Sequence, residues 1–467
     1  KASFPPLGLL TVAAMLPASW EKRLVDMNVE PLRQRDLAWA DYVFISAMAV
    51  QRRSAQEVID RCRRAGRPVV AGGPLFTGEP EKFPTVDHLV LNEAELTLPP
   101  FLRDLEAGHP QRVYTADGFA DVRQSPAPLF ELIDMRRYAS MSIQYSRGCP
   151  FNCEFCNVTA LFGHRPRVKT AKQIIAELEH LYSLGWRGGV FFVDDNFIGN
   201  KRHLKAEVLP ALRVWGARRR GITFQTEVSI NLADDEELVR EMVEVGFDSV
   251  FVGIETPDER SLTECSKTQN KGRDLVECVK KLQRAGLQVE GGFIVGLDAD
   301  TPSIFQRQID FIQRSGIVTA MVGLLQAPRG TPLYERLRRE GRLLHDVSGD
   351  NTDSTINFIP RMDRETLLAG YQRILREIYS PEAYYERIRT FLREYNRVPS
   401  NRRLTLVEVR AFLRSVYLLG IKGVERVHYW RLFFWTLFRR PRLFPLAITY
   451  SIYGVHFRRV FESALAS

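Results

Sequence analysis

The sequence predicts an α/β chain in three parts: a Rossmann-like domain, a partial (β/α)6 barrel and an α-helical, basic C-terminal domain. Three observations carry this. Short apolar runs alternate with amphipathic helical stretches up to about residue 345. Six such strand-and-helix units follow a Pro-rich connector, and beyond them strand-like runs give way to helical periodicity. Strands separated by helices form parallel sheets covered on both faces, and ligands gather at the carboxyl ends of those strands. With 467 residues, 45% hydrophobic and 26% charged, the chain can bury several cores.

The first part, residues 1–125, places DYVFISAM (41–48) and RPVVAGG (67–73) as strands around the helical stretch SAQEVIDRCRRAG (54–66). Its strand-end loops, 46–53, 72–78 and 92–95, should converge on a ligand. The chain opens on Lys1 and runs directly into FPPLGLLTVAAMLP, so an N-terminal strand is expected to be missing. RQSPAPLFELIDM (123–135) leads out of this domain, and residues 126–140 are read as the linker. Strand candidates then recur at 141–146, 189–195, 222–229, 249–255, 289–296 and 319–326, with helices such as 170–185 and 234–246 between them. Six units exceed a simple open nucleotide fold and fall short of eight. Residues 141–345 are therefore read as a partial barrel with its chemistry at the strands' C-terminal ends. Residues 346–467 form the helical domain.

The formal charge of +9 is concentrated in the tail. Residues 386–467 hold sixteen Lys and Arg against five Glu and no Asp. Cys62, Cys265 and Cys278 are scattered, without the paired framework of a secreted protein, which argues for the cytoplasm. Segment 443–457, LFPLAITYSIYGVHF, lacks charge over fifteen residues, yet Pro445 and Gly454 interrupt it. A membrane span needs about twenty apolar residues, so it should not cross a bilayer. Arg439, Arg440, Arg442, Arg458 and Arg459 flank it, and Trp430, Phe433, Phe434, Trp435 and Phe438 precede it. Two readings stay open: a peripheral segment resting on the inner membrane face, or a helical pair packed on the barrel.

Half of the six cysteines fall within eight residues: Cys149, Cys153 and Cys156, spaced CxxxCxxC in a loop after the first barrel strand. Thiolates at this spacing can face one inorganic centre from a single loop. A structural zinc wants four protein ligands, and the one nearby candidate, His164, sits in HRPRVK without a zinc-knuckle context. An iron–sulfur cluster with one iron left open to substrate or cofactor suits three thiols better.

The motif CPFNCEFC in that position resembles the radical S-adenosylmethionine (SAM) superfamily, whose three cysteines hold a 4Fe-4S cluster. The resemblance implies SAM on the fourth iron, with Phe155 against adenine. It places Asp194, Asp195 and Asn196 at the SAM amino group, and Glu227, Ser229 and Glu255 at its carboxylate and ribose. GGFIVG (291–296) matches a segment that packs near adenine. The paired Asp194 and Asp195 could alternatively bind a metal or do acid–base work, Asp195 could cap the following turn, and Glu227, Ser229 and Glu255 could be polar residues satisfied inside the barrel mouth.

A Rossmann-like domain ahead of such a barrel resembles the cobalamin-dependent branch. The matching stretches imply cobalamin contacts from Leu7 and Gly8, Ser46 and Met48, Gly72, Gly73 and Pro74, and Glu93. The DxHxxG motif that donates an axial histidine elsewhere is absent, and Asp87-His88 has the wrong spacing. KASFPPLGLLTVAAMLP, FVDDNFIGNKR, FDSVFVGIETPDE and SGDNTD resemble a family of B12-binding-domain radical SAM proteins with a helical C-terminal extension, related to hopanoid C-2 methylases. The activity this implies is methylation of an unactivated carbon. A 5'-deoxyadenosyl radical abstracts hydrogen, the carbon takes a methyl group from methylcobalamin, and a reductase, flavodoxin or ferredoxin supplies electrons. The substrate is a small molecule, with a lipid such as a hopanoid as the expectation. The leading alternative is a radical cyclase, coupling or rearrangement enzyme, in which Tyr145, Tyr334 or Cys265 could donate hydrogen. An RNA-modifying enzyme lacks support because no second cysteine trio precedes the first. A non-enzymatic cobalamin or cluster sensor is a further reading.

Overall fold

The computed structural model describes residues 1–350, 354–396 and 406–466, with backbone alone at 406, 407 and 462–466. Residues 351–353 of the SGDNTD stretch lie outside the described residues. The first layer is a parallel sheet of β1 (Val43–Ser46), β2 (Val69–Gly72), β3 (His88–Val90) and β4 (Val113–Tyr114), in that spatial order. Helices α1 (Leu7–Met15), α2 (Arg52–Arg64) and α3 (Ala94–Glu106) accompany it. Strand β2 shows why both faces must be covered. Val69 and Ala71 enter one core with Ile59 and Phe76, while Val70 enters another with Phe101 and Tyr114. On α2 the buried residues Ala55, Val58, Ile59 and Cys62 recur at helical spacing. Burying one such aliphatic side chain contributes about 1.5–3 kcal/mol.

The second sheet has six parallel strands: β5 (Ser140–Ile143), β6 (Gly189–Phe192), β7 (Thr223–Val228), β8 (Phe247–Glu255), β9 (Gln288–Val295) and β10 (Ala320–Leu324). Spatial order follows chain order, and α4 (Ala171–Ser183), α5 (Leu209–Ala217), α6 (Glu236–Val245), α7 (Leu275–Ala285) and α8 (Ser303–Ser315) fill the crossovers. This is a partial (β/α)6 barrel with β5 and β10 as free edges. Local chemistry starts and stops the helices. Thr170 and Gln173 form a reciprocal capping box on α4, and α6 ends at Gly246 with φ 111°. Alternation sets the lumen. Phe224 on β7 and Phe293 on β9 pack outward, Phe293 lying 5.8 Å from the Phe311 ring on α8. Thr223, Gln225 and Glu227 on β7, and Gln288, Glu290, Gly292 and Ile294 on β9, therefore face inward.

Strand β5 stops at Ile143, short of the expected residue 146, because Asp194 after β6 accepts the N–H groups of Tyr145 and Ser146. Beyond the barrel come α9 (Pro332–Arg339), α10 (Arg364–Ile378), α11 (Pro381–Glu394), α12 (Leu406–Ser415), α13 (Arg426–Arg439) and α14 (Phe444–Ala466). The turn from α12 widens into a π-helix over Val416–Lys422. Tyr450 on α14 donates its hydroxyl to Gln288 Oε1 (3.0 Å), at the floor of the lumen. Fully buried Arg387 on α11 donates to the Ile378 carbonyl (2.7 Å) and to Gln313 (2.6 Å).

Among the described residues no helix is long and apolar enough to cross a membrane. Segment 443–457 packs inward. Ala447, Ile448, Tyr450 and Ser451 are buried, and a Cβ on Gly454 would lie 2.3 Å from the Tyr384 ring. Two of its five flanking arginines serve the fold: Arg440 donates to the carbonyls of Arg393 and Tyr395, and Arg458 pairs with Glu425 at 3.1 Å. For this segment the packed helical pair replaces the interfacial reading.

Candidate active site

The three cysteines occupy the loop that leaves β5. Gly148, at φ 93°, opens it, and a Cβ there would sit 2.9–3.0 Å from the carbonyl oxygens of Phe162, Gly163 and Arg165. Asp195 accepts the Gly148 N–H at 3.0 Å. Asn196 then reaches both Cys149 Sγ (3.9 Å) and Ser229 Oγ (3.1 Å), and Gln269 Nε2 lies 3.6 Å from Cys153 Sγ. Burial pushes the Cys149 thiol up and that of Cys156 to about 11. Their neighbouring thiols raise them further. A desolvated thiol trio of this kind is stable as thiolate only with a cation among its sulfurs. Among the described residues no three His, Cys, Asp or Glu side chains converge on a single-ion site. Three thiols on one short loop, with side-chain amide donors from Asn196 and Gln269 on two of the sulfurs, fit a polynuclear iron centre. His164, the fourth ligand weighed for zinc, is solvent-exposed.

The acids divide into distinct roles. Asp194 is turned away from the thiols toward the backbone of Tyr145 and Ser146, and burial raises it to about 7. Glu255, with φ 62°, forms an ion pair with Lys267 at 2.7 Å, so it is not a free carboxylate. A Cβ at Gly253 would lie 2.4 Å from Glu255 Oε1, which is why glycine stands there. Burial works to lower Lys267, but Glu255 and then Cys153 hold it charged, a fixed cation beside the sulfurs. Among the described residues Glu227 has no hydrogen-bond or ion-pair partner; burial, then Asp195, raises it to about 7. Asp195 is raised by burial as well. Glu227 and Asp195 together form a cation-seeking corner at the barrel mouth. Ser229 is held by Asn196 and by Asn231 (2.6 Å). Phe155 is half-buried against the main core.

A cavity of about 280 Å³ lies between the strand ends of the two sheets. Leu7, Gly8, Ser46, Gly72, Gly73, Pro74 and Glu93 line it from the first sheet, and Gln144, Lys169 and Val193 from the barrel. A Cβ on Gly72 would lie 2.5 Å from the Val90 carbonyl oxygen, and one on Gly73, at φ 89°, 2.5 Å from Ser46 Oγ. Backbone forms this wall because no side chain fits. A broad, largely apolar face with a backbone cradle suits a corrin ring. Met48 stands outside the lining with its side chain exposed, so that candidate is corrected. Glu93 lines the cavity, but its carboxylate is taken by Arg147 (2.8 Å) and Arg167 (2.8 Å). No histidine lines the cavity; His88 Nδ1 faces the Gln111 carbonyl at 2.7 Å.

Arg147 joins the two domains. It donates to Glu93 and, at 2.7 Å, to Glu95. Burial alone would raise Glu95, and the guanidinium overrides it, taking the carboxyl to about 2. Sequence reasoning missed this residue although it lies two positions before Cys149, because its partners stand more than fifty residues away. Gln269 was missed for the same reason, its partner Cys153 lying 116 positions away, while Lys267 stands twelve positions from Glu255 in a stretch with no motif of its own. Tyr145 is buried and bonded to His203 Nδ1 (2.9 Å), while Cys265 is buried, its thiol raised by burial to about 12.

Family models match residues 1–102 (B12 binding domain), 143–312 (radical SAM superfamily) and 331–467 (a domain of unknown function, DUF4070). An uncharacterized methyltransferase of Synechocystis sp. is 40% identical over 98% of this chain and 86% of its own length. The hopanoid C-2 methylase of Rhodopseudomonas palustris is 39% identical over 83% of this chain and 73% of its own. The fold matches the cobalamin-dependent SAM radical enzyme OxsB, with TM-score 0.66 and 13% identity over 100% of this chain and 78% of that one. It also matches the radical SAM methyltransferase TsrM of Kitasatospora setae, with TM-score 0.62 and 16% identity over 93% and 91%. The chain belongs to the cobalamin-dependent radical SAM methyltransferases, enzymes that work with a 4Fe-4S cluster, SAM and cobalamin.

Proposed function

We propose that this chain methylates an unactivated carbon of a lipid of the polycyclic triterpenoid class. The observation that carries the reading is a cavity at the strand ends of the first sheet that Gln144, Lys169 and Val193 of the barrel close and that reaches Arg147, two residues before Cys149. The relationship to a hopanoid C-2 methylase supports the lipid, as do the apolar lumen residues Phe191, Phe251 and Ile294.

When bound, the three cofactors supply the electron, the hydrogen-abstracting radical and the methyl group. The chain's own residues bind and orient. Cys149, Cys153 and Cys156 hold the cluster, with Asn196 and Gln269 donating to sulfur and Lys267 offsetting negative charge. Asp195 and Glu227 receive the SAM ammonium, Asn196 and Ser229 brace the neighbouring polar groups, and Phe155 covers adenine. Leu7, Gly8, Ser46, Gly72, Gly73 and Pro74 seat the corrin, and the Arg147 network keeps the two walls in register while excluding water.

The test uses protein reconstituted with cluster and hydroxocobalamin, a low-potential reductant, methyl-labelled SAM and a lipid extract. The expected product is a lipid heavier by about 14 mass units with label on carbon, formed together with 5'-deoxyadenosine. Cys153→Ala should lose iron loading and SAM cleavage together. Formation of 5'-deoxyadenosine with no labelled lipid would favour the cyclase or rearrangement reading instead.

A further inference from the structure

The outer surface of the helical domain carries a feature that the active site does not use. On α12 and its π-helical continuation, Leu413, Tyr417, Ile421 and Val424 point to solvent, Val424 with 81% of its surface exposed. On α13 the exposed stripe continues through Val427, Phe434 and Phe438, the last 77% exposed. Trp430, Phe434 and Phe438 stack in sequence, with ring centroids 5.6 and 6.4 Å apart. Trp430 Nε1 donates to the Gly420 carbonyl at 2.9 Å, which joins the two helices into one face. Single exposed apolar residues are ordinary, whereas a continuous face of them marks an interaction surface.

Charge identifies the occupant. Residues 409–459 hold ten Lys and Arg and one carboxylate, Glu425. That carboxylate is buried and paired with Arg458, and Glu408 in the first turn of α12 is the one acid on α12 and α13 themselves, so cations dominate this face. Arg410, Arg414, Lys422, Arg426 and Arg431 are exposed among the apolar residues. Beside the C-terminal end of α13 a cleft is lined by Arg389, Arg393, Trp435, Arg439 and Arg440. Glu386 engages Arg389 (2.9 Å) and Arg393 (3.5 Å) there, which leaves Arg439 facing the cleft without an acidic partner. Aliphatic and aromatic side chains interleaved with cations match the headgroup boundary of an anionic bilayer. A nucleic acid backbone would use the cations and leave the aliphatic stripe wet.

We propose that the outer face of α12 and α13, and not segment 443–457, docks on an anionic lipid bilayer. The proposal adds the source of the substrate to the lipid reading above and rests on that reading for its purpose, but its test does not require turnover. Full-length reconstituted protein is floated with vesicles of phosphatidylcholine alone and with phosphatidylglycerol added. Binding is expected only with the anionic vesicles and should weaken as salt rises. Phe434→Ser/Phe438→Ser should lower partitioning by about tenfold or more, and Arg414→Gln/Arg431→Gln should remove its salt dependence in part. Val214→Ser, an exposed apolar residue on the barrel, should change nothing. The cobalamin spectrum and SAM cleavage of every variant should equal the wild type, so a failed methylation reading leaves this test intact. Equal flotation of the phenylalanine variant overturns the proposal. So does binding to RNA in preference to vesicles, or a dimer that the phenylalanine variant dissolves without any vesicle binding.

Discussion

The first sheet offers its cavity backbone and small groups, Gly72, Gly73, Ser46 and Pro74, while the barrel mouth beyond that cavity carries thiols, carboxylates and a buried lysine. The contrast follows from the ligands. A broad ring with many weak contacts is held by shape, so its cradle must be empty of side chains. A small zwitterion and a cluster are held by charge and coordination, which only side chains supply. Shape sites should therefore fail through added volume, and charge sites through lost or titrated groups.

The largest effect is expected where the two walls meet. Arg147→Met would strand the buried Glu95 side chain and leave Glu93 with Arg167 alone, and should destabilise the folded chain by about 3–5 kcal/mol at pH 7. Arg147 holds the folded-state pKa of Glu95 at about 2, below the ordinary 4.5. That stabilisation is present above pH 4.5 and lost as pH falls toward 2. Thermal unfolding of wild type and variant should accordingly converge in acid; a constant gap at every pH would show that lost packing, not charge, is responsible.

A smaller effect tests the shape wall alone. Gly73→Val puts a Cβ where Ser46 Oγ stands and forces a branched residue to positive φ. Hydroxocobalamin affinity should fall about 100-fold, roughly 3 kcal/mol, with iron content and SAM cleavage retained. Loss of all three together would mean that the two walls are not separable.

The smallest effect tests the charge wall. Burial raises Glu227 to about 7 from 4.5, so the folded chain holds its proton between those values while the unfolded chain does not. Stability therefore declines as pH rises through that window. Glu227→Gln should stabilise the cofactor-free protein at pH 8 by about 1–2 kcal/mol and flatten that slope, while weakening SAM binding. A melting curve with unchanged pH dependence would remove Glu227 from the mouth.

How legible the site was in the sequence follows the same division. The cysteine trio could be read from spacing, because coordination demands particular residues at short intervals. The barrel strands could be read from apolar runs, but several end short of the run: β5 stops at Ile143 because Asp194 captures the next N–H groups, β6 at Phe192 and β10 at Leu324. The cradle was legible only where glycine betrays it, and Met48 was misplaced because a loop position does not reveal direction. Glu93 and Glu255 read as cofactor contacts, and the ion pairs that occupy them, with Arg147 fifty-four positions away and Lys267 twelve, show only in the fold. The tail stayed open between two readings because composition reports that a segment is apolar and basic, not which face turns outward. Gly454 and Tyr450 turn segment 443–457 inward, and the exposed face lies earlier, on α12 and α13.

The Tyr450 to Gln288 hydrogen bond bears on how this protein could be recombined. The helical extension has the outline of a detachable cassette, yet one of its tyrosines completes the base of the reaction chamber next to Glu290, which carries no partner of its own. A chimera cut at the end of β10 would carry a foreign base plate under a native barrel. Exchange among relatives should respect a junction that takes Gln288 and Glu290 along with α14, because the last helix of the chain hydrogen-bonds the base of the barrel.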